Sequence, residues 1–191
     1  HSSPMGVRNL INDLPDEVID LLRELDKRTF LWIELGLQTS RDDTAERINR
    51  CYPTAVFDQT MGRLRAAGLR TVVHLLFGLP GETEADMLAS VDHVAAYHPF
   101  GIKLHQLYVL EGTGLARSPA DSYALLEKDA YIRLVVDALE RLPRDITAPE
   151  KHGGIEPRVV LDRLVLTLPG GQPQVLRRVR DMALPTGVRS L

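Results

Sequence analysis

One cysteine, Cys51, occurs among the 191 residues. That excludes an internal disulfide and any metal or cluster site built from several thiolates of this chain. Long apolar runs are missing too. The longest, 71–79, is broken by His74 and is too short to cross a bilayer. No basic start is followed by an apolar core near the N-terminus, so no secretory signal is visible and the cytoplasm is the expected compartment. Positive charge is not in excess: 23 Lys and Arg stand against 26 Asp and Glu, a net charge of -3. The chain therefore carries no global electrostatic footprint for nucleic acid, although a local basic patch stays compatible with that balance. No Gly-Lys-Ser/Thr phosphate loop, no nucleophile elbow and no pair of His, Asp or Cys at a local metal spacing is present.

What is there describes one globular domain. Hydrophobic residues make up 44% and charged residues 26%, and the mean hydropathy is -0.10, values that suit a packed core rather than disorder. The opening His-Ser-Ser-Pro, with Met at position 5, reads as a tag scar or the cut end of a longer protein, so residues 1–8 are set aside. An amphipathic helix is expected over 13–27, capped by Asp13, with Val18, Leu21, Leu22 and Leu25 on one face. The apolar run 29–37 reads as a buried strand. Ser40 and Asp43 resemble a capping box that starts a helix directly after it, and 54–67 is a second helix with Phe57, Met61 and Leu64 inward and Gly68 as its stop.

The pattern then repeats. A strand over 70–77 meets a turn at 78–81 and a helix over 82–97, which Glu82 opens and which carries Met87, Leu88, Val91 and Val94. A third strand over 101–110 is followed by a helix over 123–142. Strands beginning at 29, 70 and 101 leave room for helical crossovers and predict a parallel sheet. Three strands do not close a barrel, which in its eight-stranded form needs about 250 residues, so this spacing points to a fragment of one. After Pro143 the composition turns rich in proline, glycine and arginine. One strand-like run is expected at 159–168 and a short basic helix at 174–183. The division expected is 9–146 for the β/α portion and 147–191 for an irregular tail.

Ligands of parallel β/α sheets bind at the carboxyl ends of the strands. By the two-residue period Trp32, Glu34, Gly36 and Gln38 share one face of the first strand. A carboxylate and an amide so placed suit a ribose or an amino-acid group, and an ion pair with Lys or Arg accounts for Glu34 equally well. Gly78 permits close backbone approach to a ligand, or simply a tight strand-to-helix turn. Lys103, His105 and Gln106 put unusual polarity into a strand that reads as buried. A satisfied core histidine is the plainer reading of His74 or of His105.

Taken in order, Leu-Pro-Asp-Glu-Val-Ile-Asp-Leu-Leu (14–22), Leu-Trp-Ile-Glu-Leu-Gly-Leu-Gln-Thr (31–39), Ile-Asn-Arg (48–50), His-Leu-Leu-Phe-Gly-Leu-Pro-Gly-Glu-Thr (74–83) and Gly-Ile-Lys-Leu-His-Gln-Leu-Tyr-Val-Leu-Glu-Gly-Thr-Gly-Leu-Ala (101–116) closely resemble one family. It is the YhcC-type family of radical S-adenosylmethionine (radical SAM) proteins, related to oxygen-independent coproporphyrinogen oxidase and to the Elongator-type catalytic subunit. The resemblance covers 14–146. It implies an α/β fold, the C-terminal half of a partial (β/α)6 TIM-like barrel with strands four to six present. It also implies S-adenosylmethionine and a [4Fe–4S] cluster as cofactors, reductive cleavage to a 5′-deoxyadenosyl radical, and a flavodoxin- or ferredoxin-type electron donor, with the substrate open.

Carried onto this chain, Gln38 and Arg50 match the pair that contacts the ribose and methionyl carboxylate, an arginine fork suiting the latter. Glu34 is their polar neighbour, Leu76 and Gly78 line the adenine, and Tyr108 lies nearby. The family's Cys-x-x-x-Cys-x-x-Cys loop has no counterpart here, so this chain alone is expected not to assemble the cluster. After Ile146 the sequence leaves the family pattern, as a genuine variant or a shifted reading frame. Two other readings stand beside this one. The chain is a truncated, non-catalytic fragment with residual nucleotide or partner binding, or it is a different β/α enzyme, a lyase or hydrolase using Glu34, His74 and His105 as acid–base groups.

Overall fold

The computed structural model describes residues 14–29, 31–109, 112–117, 125–143 and 146, together with the backbone of 164–166 and 174–176. Helix α1 (Asp16–Asp26) leads into β1 (Ile33–Gln38), α2 (Asp42–Arg47), α3 (Thr54–Ala66), β2 (Thr71–Phe77), α4 (Glu84–Ala95), β3 (Gly101–Gln106) and α5 (Lys128–Arg141). The three strands form one sheet in the order β1-β2-β3. All pairings are parallel, with Ile33 opposite Thr71 and Val72 opposite Gly101. The parallel α/β arrangement expected from strand spacing is thus observed.

One face of this sheet is entirely apolar at its centre. Leu35, Leu37, Val73, Leu75, Phe77, Ile102 and Leu104 are buried together with Phe57, Met61 and Leu64 of α3, Met87, Val91 and Val94 of α4, and Tyr131, Leu134 and Val135 of α5. Phe77 meets Tyr131 edge-on, ring centroids 6.4 Å apart, and the Tyr131 hydroxyl donates to the Leu104 carbonyl at 3.2 Å. The opposite face carries Glu34, Gly36, His74, Leu76, Lys103 and His105, by the alternation of side chains along each strand. Burying the first face supplies the stability that leaves the second free to be polar.

Several local expectations change. Helix α1 buries Ile19, while Leu21 and Leu25 are exposed; the helix is short and its inward stripe is rotated by one position. Its N-cap is Pro15, and Asp13 lies outside the described residues. The capping box proposed at Ser40 and Asp43 is absent, since the N-cap of α2 is Arg41 without a side-chain bond. Ser40 instead reaches Ser90 (2.9 Å and 3.1 Å), and Asp43 pairs with Arg41 and Arg47. A true capping box joins Thr83 and Asp86 at the start of α4, so Glu82 stands outside the helix rather than opening it. The third strand ends at Gln106 and α5 begins at Lys128, both within the expected spans.

The chain divides into two compact units, His1–Val160 and Leu161–Leu191; residues 147–160, between this division and the one expected from composition, lie outside the described residues. In the second unit β4 (Leu164–Leu166) pairs antiparallel with β5 (Gln174–Leu176). The basic helix expected over 174–183 therefore begins as a strand. Leu164–Leu166 and Gln174–Leu176 flank Gly170-Gly171 and Pro173 in the sequence, strand and turn residue types that suit an antiparallel pair, and residues 177–183 lie outside the described residues. Among the described residues no helix is long and apolar enough to cross a membrane.

Candidate functional site at the strand ends

The carboxyl end of β1 leaves regular geometry. The β1–β2 register shifts between Gly36 and Gln38, and Gln38 has a φ of 61°, the left-handed region that a non-glycine residue enters only under constraint. Its amide folds back over its own strand, donating to the carbonyls of Gly36 (2.9 Å) and Leu37 (3.1 Å). A Cβ at Gly36 would clash with the end of the Gln38 amide, so glycine is what makes room for it.

Helix α2 then ends in a Schellman turn. Asn49, at φ 59°, donates from its amide to Glu46, and the Arg50 amide donates to Ala45, the two bonds that define that motif. This turn throws Arg50 inward, where its side chain is 3% exposed. All five of its N–H donors are engaged: Leu37 O at 2.7 Å, Thr39 O at 2.6 Å, Tyr52 O at 2.9 Å, Asp42 Oδ1 at 3.0 Å and Thr54 Oγ1 at 3.0 Å. The Tyr52 ring lies 4.8 Å from the guanidinium carbon, and the Tyr52 hydroxyl donates to Gly36 O. The loop following β1 is thereby wrapped around one buried cation.

A second set of bonds ties this loop to the turn after β2. Buried Thr39 donates through its hydroxyl to Glu82, Arg41 reaches Asp86 at 2.7 Å, and Arg47 donates to Pro80 O at 3.2 Å. Burial raises the Glu82 carboxyl above its ordinary value, against the lowering effect of the Thr39 bond. In that turn Gly78 sits at φ 87°, its N–H directed at Met87 Sδ (3.0 Å).

On the polar face a network runs across all three strands. Trp32 Nε1 donates to Glu34 Oε1 at 3.1 Å, and Lys103 Nζ donates to the same oxygen at 2.7 Å. His74 Nε2 lies 3.0 Å from Glu34 Oε2. His105 Nε2 lies 3.1 Å from His74 Nδ1, the two rings stacking at 5.1 Å and 19°. Burial alone would raise the Glu34 carboxyl, but the bonds from Lys103 and Trp32 and the charges of Lys103 and His74 hold it at about 2.

The residues singled out in the sequence thus separate into groups. Glu34 and Leu76 lie on the polar face, with Glu34 in an ion pair with Lys103. Gln38 and Gly78 stand at the ends of β1 and β2, and Tyr108 lies just past β3, 46% exposed. Arg50 is close in sequence but points into the loop, not onto that face. The Thr39–Glu82 bridge was not anticipated; its one sequence signal is a glutamate placed just before a complete Thr-x-x-Asp cap, where the helix has no use for it.

Residues 5–94 match the model of the Radical SAM superfamily and residues 99–148 that of the Radical_SAM C-terminal domain. YtqA of Bacillus subtilis (strain 168) is 39% identical over 134 residues, 70% of this chain and 42% of that protein. YhcC of Escherichia coli (strain K12) is 41% identical over 106 residues, 55% of this chain and 34% of that one. The chain therefore spans well under half the length of these relatives. Among solved structures, the archaeal Methanocaldococcus infernus Elp3 with an N-terminal deletion superposes with a TM-score of 0.62 at 18% identity, covering 70% of this chain and 32% of that one. Coproporphyrinogen III oxidase (HemN) from Escherichia coli gives 0.52 at 17% identity, covering 64% and 28%. At these identities the two superpositions speak to the fold alone.

Proposed function

Since the chain belongs to the radical SAM superfamily, we propose that it is the S-adenosylmethionine-binding side of a radical SAM enzyme, the cofactor lying across the carboxyl ends of β1–β3. The observation that carries this reading is Gln38. Its left-handed backbone and glycine-cradled amide place a polar group at a strand end, where among the described residues it bonds to carbonyls of its own strand. Such an amide turns to a ligand at the cost of two ordinary hydrogen bonds, about 1 kcal/mol each. Leu76 and Gly78 would line the adenine, and Tyr108 would border it. Arg50, with every donor committed, serves the site by fixing the loop backbone rather than by gripping the carboxylate.

The residues present do not fit the cluster. Three thiolates are needed to leave one iron open, the chain has Cys51 alone, and among the described residues no group of three His, Cys, Asp or Glu could hold a metal. In this reading the cluster ligands lie outside residues 1–191, and the electron donor of flavodoxin or ferredoxin type and the substrate are further partners. Titration calorimetry of S-adenosylmethionine into the protein tests the assignment. Gln38→Ala is expected to weaken binding about tenfold, the equivalent of about 1.4 kcal/mol, and Gly36→Ala to weaken it by displacing the amide. An unchanged affinity in a natively folded Gln38→Ala protein rules the assignment out.

A further inference from the structure

Glu82 stands between two finished structures and belongs to neither. Before it, Leu79-Pro80-Gly81-Glu82 is a type II turn: Pro80 is second, Gly81 is third with a φ of 82°, and the Glu82 N–H donates to Leu79 O at 3.1 Å. After it, Thr83 and Asp86 complete the cap of α4. The backbone on both sides is thus fixed, and the carboxyl reaches across to Thr39 in the loop after β1. We propose that Glu82 is a positioning residue for Gln38: by holding Thr39 it sets where the Gln38 amide stands against the turn after β2. For its ligand this inference rests on the S-adenosylmethionine reading above.

The backbone at Gln38 needs a holder. The Thr39 N–H donates to Leu37 O at 2.8 Å, a bond that closes a γ-turn centred on Gln38. The φ of 61° there makes it the rare, strained form of that turn. Such a conformation persists only where its surroundings over-determine it. Arg50 supplies part of this, binding the carbonyls that flank Gln38: Leu37 O at 2.7 Å and Thr39 O at 2.6 Å. Arg50 belongs to the far end of the same loop, however, so it stiffens the loop without fixing where the loop stands relative to β2.

Glu82 holds it from the β2 side. Thr39 is fully buried and directly follows Gln38, and its hydroxyl oxygen also accepts the Arg41 N–H at 3.0 Å. One side chain therefore joins Glu82, the strained turn and the start of α2. The other bonds from this loop to the β2 side leave from farther along the chain: Ser40 to Ser90 at 2.9 Å, Arg41 to Asp86 at 2.7 Å and Arg47 to Pro80 O at 3.2 Å. The two arginines are open to water, which weakens what their bonds contribute. Because Glu82 ends the turn that begins just after Gly78, its bond to Thr39 couples the ribose side of the proposed pocket, at Gln38, to the adenine side, at Leu76 and Gly78.

Two measurements on the full chain test this. In the ligand-free protein the 13Cα and 13Cβ shifts of Gln38 report its backbone conformation. Glu82→Ala is expected to move them away from left-handed values, and Glu82→Gln, whose amide oxygen still accepts from Thr39, to restore them. In calorimetry with S-adenosylmethionine, Glu82→Ala is expected to weaken binding about fivefold, because the competent loop conformer becomes a fraction of the ensemble. In a Gln38→Ala background it is expected to have no further effect. Unchanged Gln38 shifts in Glu82→Ala would overturn the positioning role, as would losses from Glu82→Ala and Gln38→Ala that multiply. Thr39→Val, which removes the hydroxyl and keeps the shape, replaces Glu82→Ala in both measurements should that variant not fold. If the parent protein does not bind S-adenosylmethionine, the cofactor reading fails, while the ligand-free shifts still decide whether Glu82 positions Gln38.

Discussion

Replacing Arg50 by alanine separates two roles that the same residue could hold. Its side chain is 3% exposed, and three of its five hydrogen bonds end on the backbone carbonyls of Leu37, Thr39 and Tyr52. Asp42 and Thr54 keep each other when Arg50 is gone, since Thr54 donates to Asp42 from both its amide and its hydroxyl at 2.7 Å. Leu37 O keeps the Thr39 N–H at 2.8 Å, so the loss falls mainly on the carbonyls of Thr39 and Tyr52 at about 1–3 kcal/mol each, reduced by water entering the vacated space. A total of about 2–5 kcal/mol is expected, with little from the Asp42 pair because that side chain is 59% exposed, against about 5–15 kcal/mol for a whole domain. Arg50→Lys keeps the charge but has three donors instead of five and is expected to lose roughly half as much. Urea unfolding followed by circular dichroism measures both. If Arg50→Ala shifts stability by less than about 0.5 kcal/mol while S-adenosylmethionine affinity falls tenfold, the structural assignment is wrong and Arg50 contacts the cofactor.

Three further predictions follow from the same geometry. Gly78→Ala places a Cβ at φ 87°, 3.3 Å from Leu126, and should cost about 1–3 kcal/mol in thermal or urea unfolding; a neutral result would mean the turn relaxes freely. Glu82 has a folded pKa above its unfolded value of 4.5, so the native state binds its proton more tightly and loses stability as pH rises past that value. Glu82→Gln, which still accepts from Thr39, should gain on the parent protein as pH increases from 4.5, and a constant difference across pH would refute this. Glu34 behaves oppositely: with a folded value of about 2, its contribution is present above 4.5 and lost as pH falls toward 2. Glu34→Gln should flatten that part of the acid-unfolding curve.

The order of elements and the buried face of the sheet were legible because both are local. The apolar run over 71–77, Phe57, Met61 and Leu64 at helical spacing, and Gly68 at a helix end each state their structure within a few residues. Helix α1 was placed correctly but its inward face was misjudged, because hydrophobic spacing allows two stripes and only packing selects one. The capping box illustrates the same limit. Ser40-x-x-Asp43 and Thr83-x-x-Asp86 have the same pattern, yet only the second caps, because Ser40 is drawn away to Ser90.

By itself, then, the sequence determined a parallel β/α chain with its polar residues at strand ends, and its motifs pointed to the radical SAM family. Tertiary structure alone decided what those residues hold. The acceptors of Arg50 come from positions 37, 39, 42, 52 and 54, gathered by a Schellman turn that no periodicity announces. Glu34 meets Lys103 and His74 because the register sets His74 beside Lys103 and opposite Gly36, one step along the same face from Glu34. Hydrogen-bond partners are fixed by distances through space, and a linear pattern records only which groups are available to be paired.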